Sequence, residues 1–246
     1  LQADRKDFLS LDGIALVPSD TSQIRTLLLV IVLQLGLCIL LLGEVANAAR
    51  RYDTLLALIA QLGGGVMASA FHHLLPDCRI HAVELRQAVL DTAREFFDLP
   101  ESERLEVTIA DASDALGRMP DASSDMILAD LYNADRMSPA QSHGYFLTDC
   151  ARVLTDDGWL VLNYHRTPDL ESPYFRQLKQ HFSVLLMFRS KSNNTVVYAS
   201  KQQFQSVHPK DPILSELESR LPIDWRRLMA KVNRMEGGRS EPLFPG

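Results

Sequence analysis

The chain has 246 residues, 46% hydrophobic and 23% charged, with a formal net charge of -6. That length and balance fit a folded protein with a full core, and an acidic chain in which runs such as Arg50-Arg51 are too short to count lacks the basic footprint of a nucleic-acid binder. The three scattered cysteines, Cys38, Cys78 and Cys150, argue for a reducing compartment and against a disulfide framework, and the seven histidines lack metal-ligand spacing, so no metal is expected.

In chain order, "DFLSLDGIALVP" at 7 to 18 alternates loosely around Asp12-Gly13, a strong hairpin signal, so an N-terminal β-hairpin arm is expected over 1–26. Residues 27 to 43, "LLLVIVLQLGLCILLLG", are apolar except for Gln34. Two readings stay open. The run is a buried piece of an α/β core, or it is a membrane anchor at the short limit of a span. A secretory signal fits poorly, because a mixed-charge, strand-like stretch precedes the run. Residues 44 to 60, "EVANAARRYDTLLALIA", have high helix propensity and no internal Gly or Pro, which predicts a helix.

After the glycines at 63 to 65 the pattern alternates. Helices are predicted at 66–75, 87–97, 139–154 and 173–181, and strands at 79–83, 105–109, 126–129 and 159–163. "TDDG" at 155–158 reads as a turn. Strands at 183–188 and 195–199 form a hairpin closed by "KSNN". This order predicts a doubly wound, mostly parallel Rossmann-like sheet over 27–201, with 27–62 atypical. The tail, 202–246, shows no strong strand. Pro209 and Pro212 mark a linker, and 222–236 reads as an amphipathic helix with Leu228, Val232 and Met235 on one side.

The candidate site follows from where the polar residues fall. Gly63-Gly64-Gly65 precede a helix, whose free N–H groups and positive end suit a bound ligand. Glu84 ends the next strand at the spacing where an acid meets ribose hydroxyls. Asp111 ends the third strand, where it could meet the base, and Asp130 ends the fourth. Acids at successive strand ends point to one crevice. The competing reading makes them surface carboxylates that cap helices.

The stretch from "LGGGVMASAF" through "AVELRQAVLDTAREFF" to "TIADASDAL", with "DMILADLY" and "CARVLTDDGWLVLN", resembles the spermidine synthase-like (polyamine aminopropyltransferase) proteins. They share the class I S-adenosylmethionine-dependent methyltransferase fold. The resemblance implies a transferase using S-adenosylmethionine or its decarboxylated form, with a small amine as acceptor, and a cytoplasmic homodimer; membrane association is the alternative location. It implies ribose binding by Glu84, adenine contacts by Asp111 and Ala112, and catalysis by Asp130. Tyr132, Asn133 and Asp135 would face the substrate. The chain departs from the family in three places. Asn133 replaces the second carboxylate of the D-x-x-D motif, Gly63 replaces the loop Asp that holds the donor's amine, and Gln61 replaces the first loop glycine. "VLQLGL" at 32–37 also resembles the family's first strand and first loop glycine, which would make 38–62 an insertion, a displaced strand or a frame error in the sequence. A non-catalytic nucleoside-binding or dimerisation module on the same fold is the alternative to an enzyme.

Overall fold

The computed structural model describes residues 55–60, 62, 64–129, 132–133, 136–137, 144–164, 167–189, 195–202, 210, 212–220, 224–236 and 239–242. The N-terminal hairpin, the apolar run 27–43 and "VLQLGL" lie outside these residues.

The first described element corrects the helix expected over 44–60. Leu55–Ala60 is a strand, β1. It pairs in parallel with β2 (Cys78–Glu84) on one side and β4 (Ser124–Ala129) on the other. A strand in this central position is buried on both faces, so it is apolar throughout and shows no alternation. Ala57 and Ile59 enter one core and Leu58 and Ala60 the other. β1 therefore feeds the glycine turn directly, and no strand displaced to 32–37 is required.

Helix α1 (Val66–Leu74) leads to β2, α2 (Gln87–Phe96) to β3 (Leu105–Ile109), and α3 (Ala112–Arg118) to β4. A two-residue pair, β5 (Tyr132–Asn133) and β6 (Arg136–Met137), follows β4. Then come α4 (Gly144–Val153), β7 (Leu154–Tyr164), α5 (Pro173–His181) and the antiparallel strands β8 (Val184–Arg189) and β9 (Thr195–Ser200). The four parallel segments expected at 79–83, 105–109, 126–129 and 159–163 all lie in one sheet, which two late strands, β10 (Val232–Glu236) and β11 (Arg239–Pro242), complete in the order β11-β10-β8-β9-β7-β4-β1-β2-β3. Strand order reverses at β1, between β2 and β4. α1 and α2 pack on one face around Phe71 and Ala93, and α3, α4 and α5 on the other around Leu116, Phe146 and Phe175.

Two further expectations are corrected. The turn at 155–158 is a bulge inside β7, whose register against β4 slips between Ser124↔Leu154 and Met126↔Trp159. A Cβ on Gly158 would stand 3.0 Å from Leu154 Cδ2 and 3.1 Å from the Asp125 carbonyl, so the bulge accepts only glycine comfortably. The tail does not hold one helix over 222–236, and most of the expected linker, 203–209, lies outside the described residues. α6 (Pro212–Arg220) starts at Pro212, α7 (Trp225–Met229) is a single short turn, and β10 (Val232–Glu236) and β11 (Arg239–Pro242) extend the sheet beyond β8. Leu228 and Val232 are both buried, one in the helix and one in the strand. Fully buried Trp225 anchors α7, the kind of burial that contributes about 2–3 kcal/mol.

At the start of the parallel strands, cations close the helix ends. Arg104 donates to the carbonyls of His72 (2.9 Å), Leu75 (3.2 Å) and Cys78 (3.2 Å) after α1. Arg152 donates to Leu116 (2.8 Å) and Met119 (2.7 Å) after α3, and pairs with Asp121 and Asp149. Lys201 donates to Ala151 (3.2 Å) and Leu154 (2.7 Å) after α4. Each meets carbonyls at or just beyond a helix C-terminus, the negative end of its dipole.

Candidate functional site

The site is built where the parallel strands end. Val83, Ala60, Ala129 and Leu162 stand in one register row across β2, β1, β4 and β7, and all four are buried in one core. The next residue in sequence is polar in each case: Glu84, Gln61, Asp130 and Asn163. On β2 and β7, where that residue is described, the apolar core stops at the same height. Gln61 and Asp130 lie outside the described residues.

The turn after β1 is tight. Gly65 N–H donates to the Leu62 carbonyl (2.9 Å), and Gly65 sits at φ 74° as the residue before α1. That left-handed conformation strains any residue with a Cβ. A Cβ there would also meet Leu99 Cδ1 at 2.6 Å. At Gly64 a Cβ would lie 3.6 Å from the Phe97 ring. No acidic residue occupies the first turn of α1, so its N–H groups face no carboxylate from their own helix. Gly63 lies outside the described residues.

Glu84 is 3% exposed at the end of β2. Its Oε1 accepts the backbone N–H of Arg86 (3.1 Å), which fixes the carboxylate toward the start of α2. Its carbonyl accepts the N–H of Ala110 (3.0 Å). That bond ties the end of β3 to the end of β2, and Asp111 follows one residue later. Asp111 Oδ1 accepts the N–H of Ser113 (2.8 Å), so this carboxylate caps α3 with one oxygen. Half of the capping alternative therefore holds for Asp111. Ala112 is the first residue of α3 and is buried.

Tyr132 and Asn133 form β5, where Asn133 pairs with Arg136. Asp135 lies outside the described residues. Sequence reasoning passed over Asn163, which is 3% exposed at the far end of β7, beside the end of β4. A lone amide closing the apolar run "WLVLN" was the available signal.

No group of three or more His, Cys, Asp or Glu residues suited to a metal occurs among the described residues. Burial pushes the Cys78 thiol up to about 12 and raises Cys150 well above its ordinary value, so neither serves as a nucleophile at neutral pH. Among the described residues, no helix is long and apolar enough to cross a membrane.

Parallel strands in the order β3-β2-β1-β4-β7, antiparallel strands beyond them, and a glycine turn with acids at the next strand ends define the class I S-adenosylmethionine-dependent methyltransferase fold. Comparison with known proteins agrees, and its names are those of transferases. The family described as "Methyltransferase domain" matches residues 59–162. A polyamine aminopropyltransferase of Neisseria meningitidis is 29% identical over 179 residues, 69% of this chain and 66% of that protein. An eEF1A lysine and N-terminal methyltransferase of Bos taurus is 32% identical over 160 residues, 60% of this chain and 23% of that protein. The crystal structure of human methyltransferase-like protein 13 in complex with SAH superposes with a TM-score of 0.58 at 26% identity, covering 69% of this chain and 81% of that one. The likeness to aminopropyltransferases read from the sequence is thus found again, over about two thirds of their length.

Proposed function

We propose that this chain is a spermidine synthase-like transferase. It binds S-adenosylmethionine or its decarboxylated form and carries an aminopropyl or methyl group to a small amine. The observation that supports this most is the pairing of Glu84 and Asp111. They follow adjacent strand ends, tied by the Ala110-to-Glu84 hydrogen bond, beside the turn that opens α1.

In this reading Glu84 accepts hydrogen bonds from ribose hydroxyls, and the second oxygen of Asp111, with the N–H of Ala112, meets adenine. Gly63 to Gly65 let the backbone approach the donor. The acceptor nitrogen attacks the carbon next to the sulfonium, the C–S bond breaks, and the thioether leaves as the neutral nucleoside. Asp130 takes the amine proton. Tyr132, Asn133 and Asp135 border the acceptor.

Asn133 favours a second reading. An amide is no base, and Gly63 offers no carboxylate to a donor amine. A nucleoside-binding module that does not transfer aminopropyl groups fits these two residues, as does methyl transfer, the activity in the names of two relatives. Calorimetric titration with S-adenosylmethionine, decarboxylated S-adenosylmethionine and methylthioadenosine, with a putrescine turnover assay, separates the readings. Binding of at least one nucleoside is expected, with weak or no spermidine formation. Any transfer that remains should fall about 10²–10⁴-fold in Asp130→Asn, the usual loss for a positioned base, and rise in Asn133→Asp. Robust putrescine turnover by the unmodified chain would contradict the expected weakness, and absence of all nucleoside binding would sink the proposal.

A further inference from the structure

The glycine turn is braced from outside its own strand and helix. After α2 the chain reverses at Asp98, which sits at φ 47°. Aspartate takes that left-handed conformation more readily than most residues with a Cβ. The N–H groups of Phe97 (3.1 Å) and Leu99 (3.3 Å) both return to the Ala93 carbonyl. The reversal sends the residues on either side of Asp98 to the turn. Leu99 Cδ1 stands 2.6 Å from where a Cβ of Gly65 would be. The atoms nearest a Cβ of Gly64 are Phe97 Cδ1 (3.6 Å), Cε1 (3.6 Å) and Cγ (3.7 Å). Adjacent ring atoms at nearly one distance place that point over the face of the ring, not at its edge.

The two contacts differ in kind. Leu99 is 6% exposed and shares a buried core with Ala93, so it serves folding whatever the turn does. Phe97 is 44% exposed and lies outside both buried clusters. Its packing on Gly64 is therefore separable from folding. Gly63-Gly64-Gly65 is the least restrained backbone a chain can make, because glycine has the widest choice of φ and ψ and loses the most freedom on ordering. The hydrogen bond from Gly65 to Leu62 closes the turn. A flat ring against Gly64 removes the other conformations that glycine allows.

We propose that Phe97 is a positioning residue of the donor site. Its ring holds Gly64, and through it the turn, in the conformation that presents the start of α1 to the ligand. What the turn then holds rests on the transferase reading above. A turn ordered in advance leaves less to be ordered on binding.

Amide hydrogen exchange of the ligand-free chain tests this, with calorimetric titration by S-adenosylmethionine and its decarboxylated form. In Phe97→Ala the Gly65 amide should exchange about tenfold faster, as in a local opening, while amides of β1, β2 and β4 keep their rates. Nucleoside affinity should fall about fivefold, the cost of ordering one freed backbone residue. Phe97→Leu keeps apolar bulk without the flat face and should behave like Phe97→Ala. Phe97→Tyr keeps the face and should retain the native exchange and affinity. If Phe97→Ala unfolds, the Leu and Tyr variants decide the question between them. A Gly65 amide that moves no more than the rest of the sheet, or faster exchange with unchanged affinity, would overturn the proposal. Failure of the unmodified chain to bind either nucleoside would instead remove the function proposed above, and selective exchange at Gly65 would still support the hold of Phe97 on the turn.

Discussion

Where the parallel strands begin, Arg104, Arg152 and Lys201 each reach across the sheet edge to close the C-terminus of a helix. Where the same strands end, the side chains are carboxylates and amides, and the backbone turns through glycine. Helix dipoles account for the division. The negative ends of α1, α3 and α4 all gather at the first edge and draw cations, and their positive ends gather at the second. At the first edge the cations are spent on carbonyls of the protein itself. At the second, Glu84 accepts a backbone N–H with Oε1 and Asp111 caps α3 with Oδ1, so both carboxylates are oriented by backbone groups. The same fold thus makes one edge for holding itself together, and the other is where the proposed function places the ligand.

That division can be broken by substitution. The largest effect is expected at Gly65, which serves both stability and site. Gly65→Val forces a β-branched residue to φ 74° against Leu99 and should lower unfolding free energy by about 2–4 kcal/mol in urea titration. Glu84→Gln should leave the unfolding midpoint nearly unchanged and weaken nucleoside binding by about 1–3 kcal/mol in calorimetry. Unchanged affinity would remove Glu84 from the site. Arg152→Met is the converse. It abandons the carbonyls of Leu116 and Met119, should cost about 1–2 kcal/mol of stability, and should spare nucleoside affinity. The smallest and most discriminating effect is at Asp111. Asp111→Ala should lose about 1 kcal/mol of stability with the cap, whereas Asp111→Asn keeps the cap and should lose affinity alone. If Asn binds as tightly as Asp, the residue is a cap and nothing more.

The ligand edge was largely legible in the sequence. β2 and β4 carry apolar runs that lead to an acid, β3 alternates before Asp111, and the helices between them have clear ends, so Glu84 and Asp111 could be placed from the sequence. β1 was not legible. "LLALIA" is uniformly apolar and follows "EVANAARRYDT", a good helix former, and a short apolar run does not reveal its period. The tail misled for a different reason. Leu228, Val232 and Met235 recur at helical spacing, yet from Val232 onward the backbone is captured by β8. Pairing with a distant strand overrides local propensity. Asn163 was overlooked because one amide has no pattern, and only strand register shows that it stands beside the end of β4.

The capture of β8 by the tail has a consequence for how the chain behaves on its own in a crowded solution. β8 reads "VLLMFR", continuous and apolar, and without β10 its outer backbone groups would be an open template for other polypeptides. Among the described residues the strand that ends the sheet instead is β11, four residues long and reading "RSEP". Short length, charges and a proline are the features that discourage strands from adding. The last segment of the described chain thus works as a guard against self-association. Shortening the chain after Ser200 would exchange a blunt edge for an adhesive one.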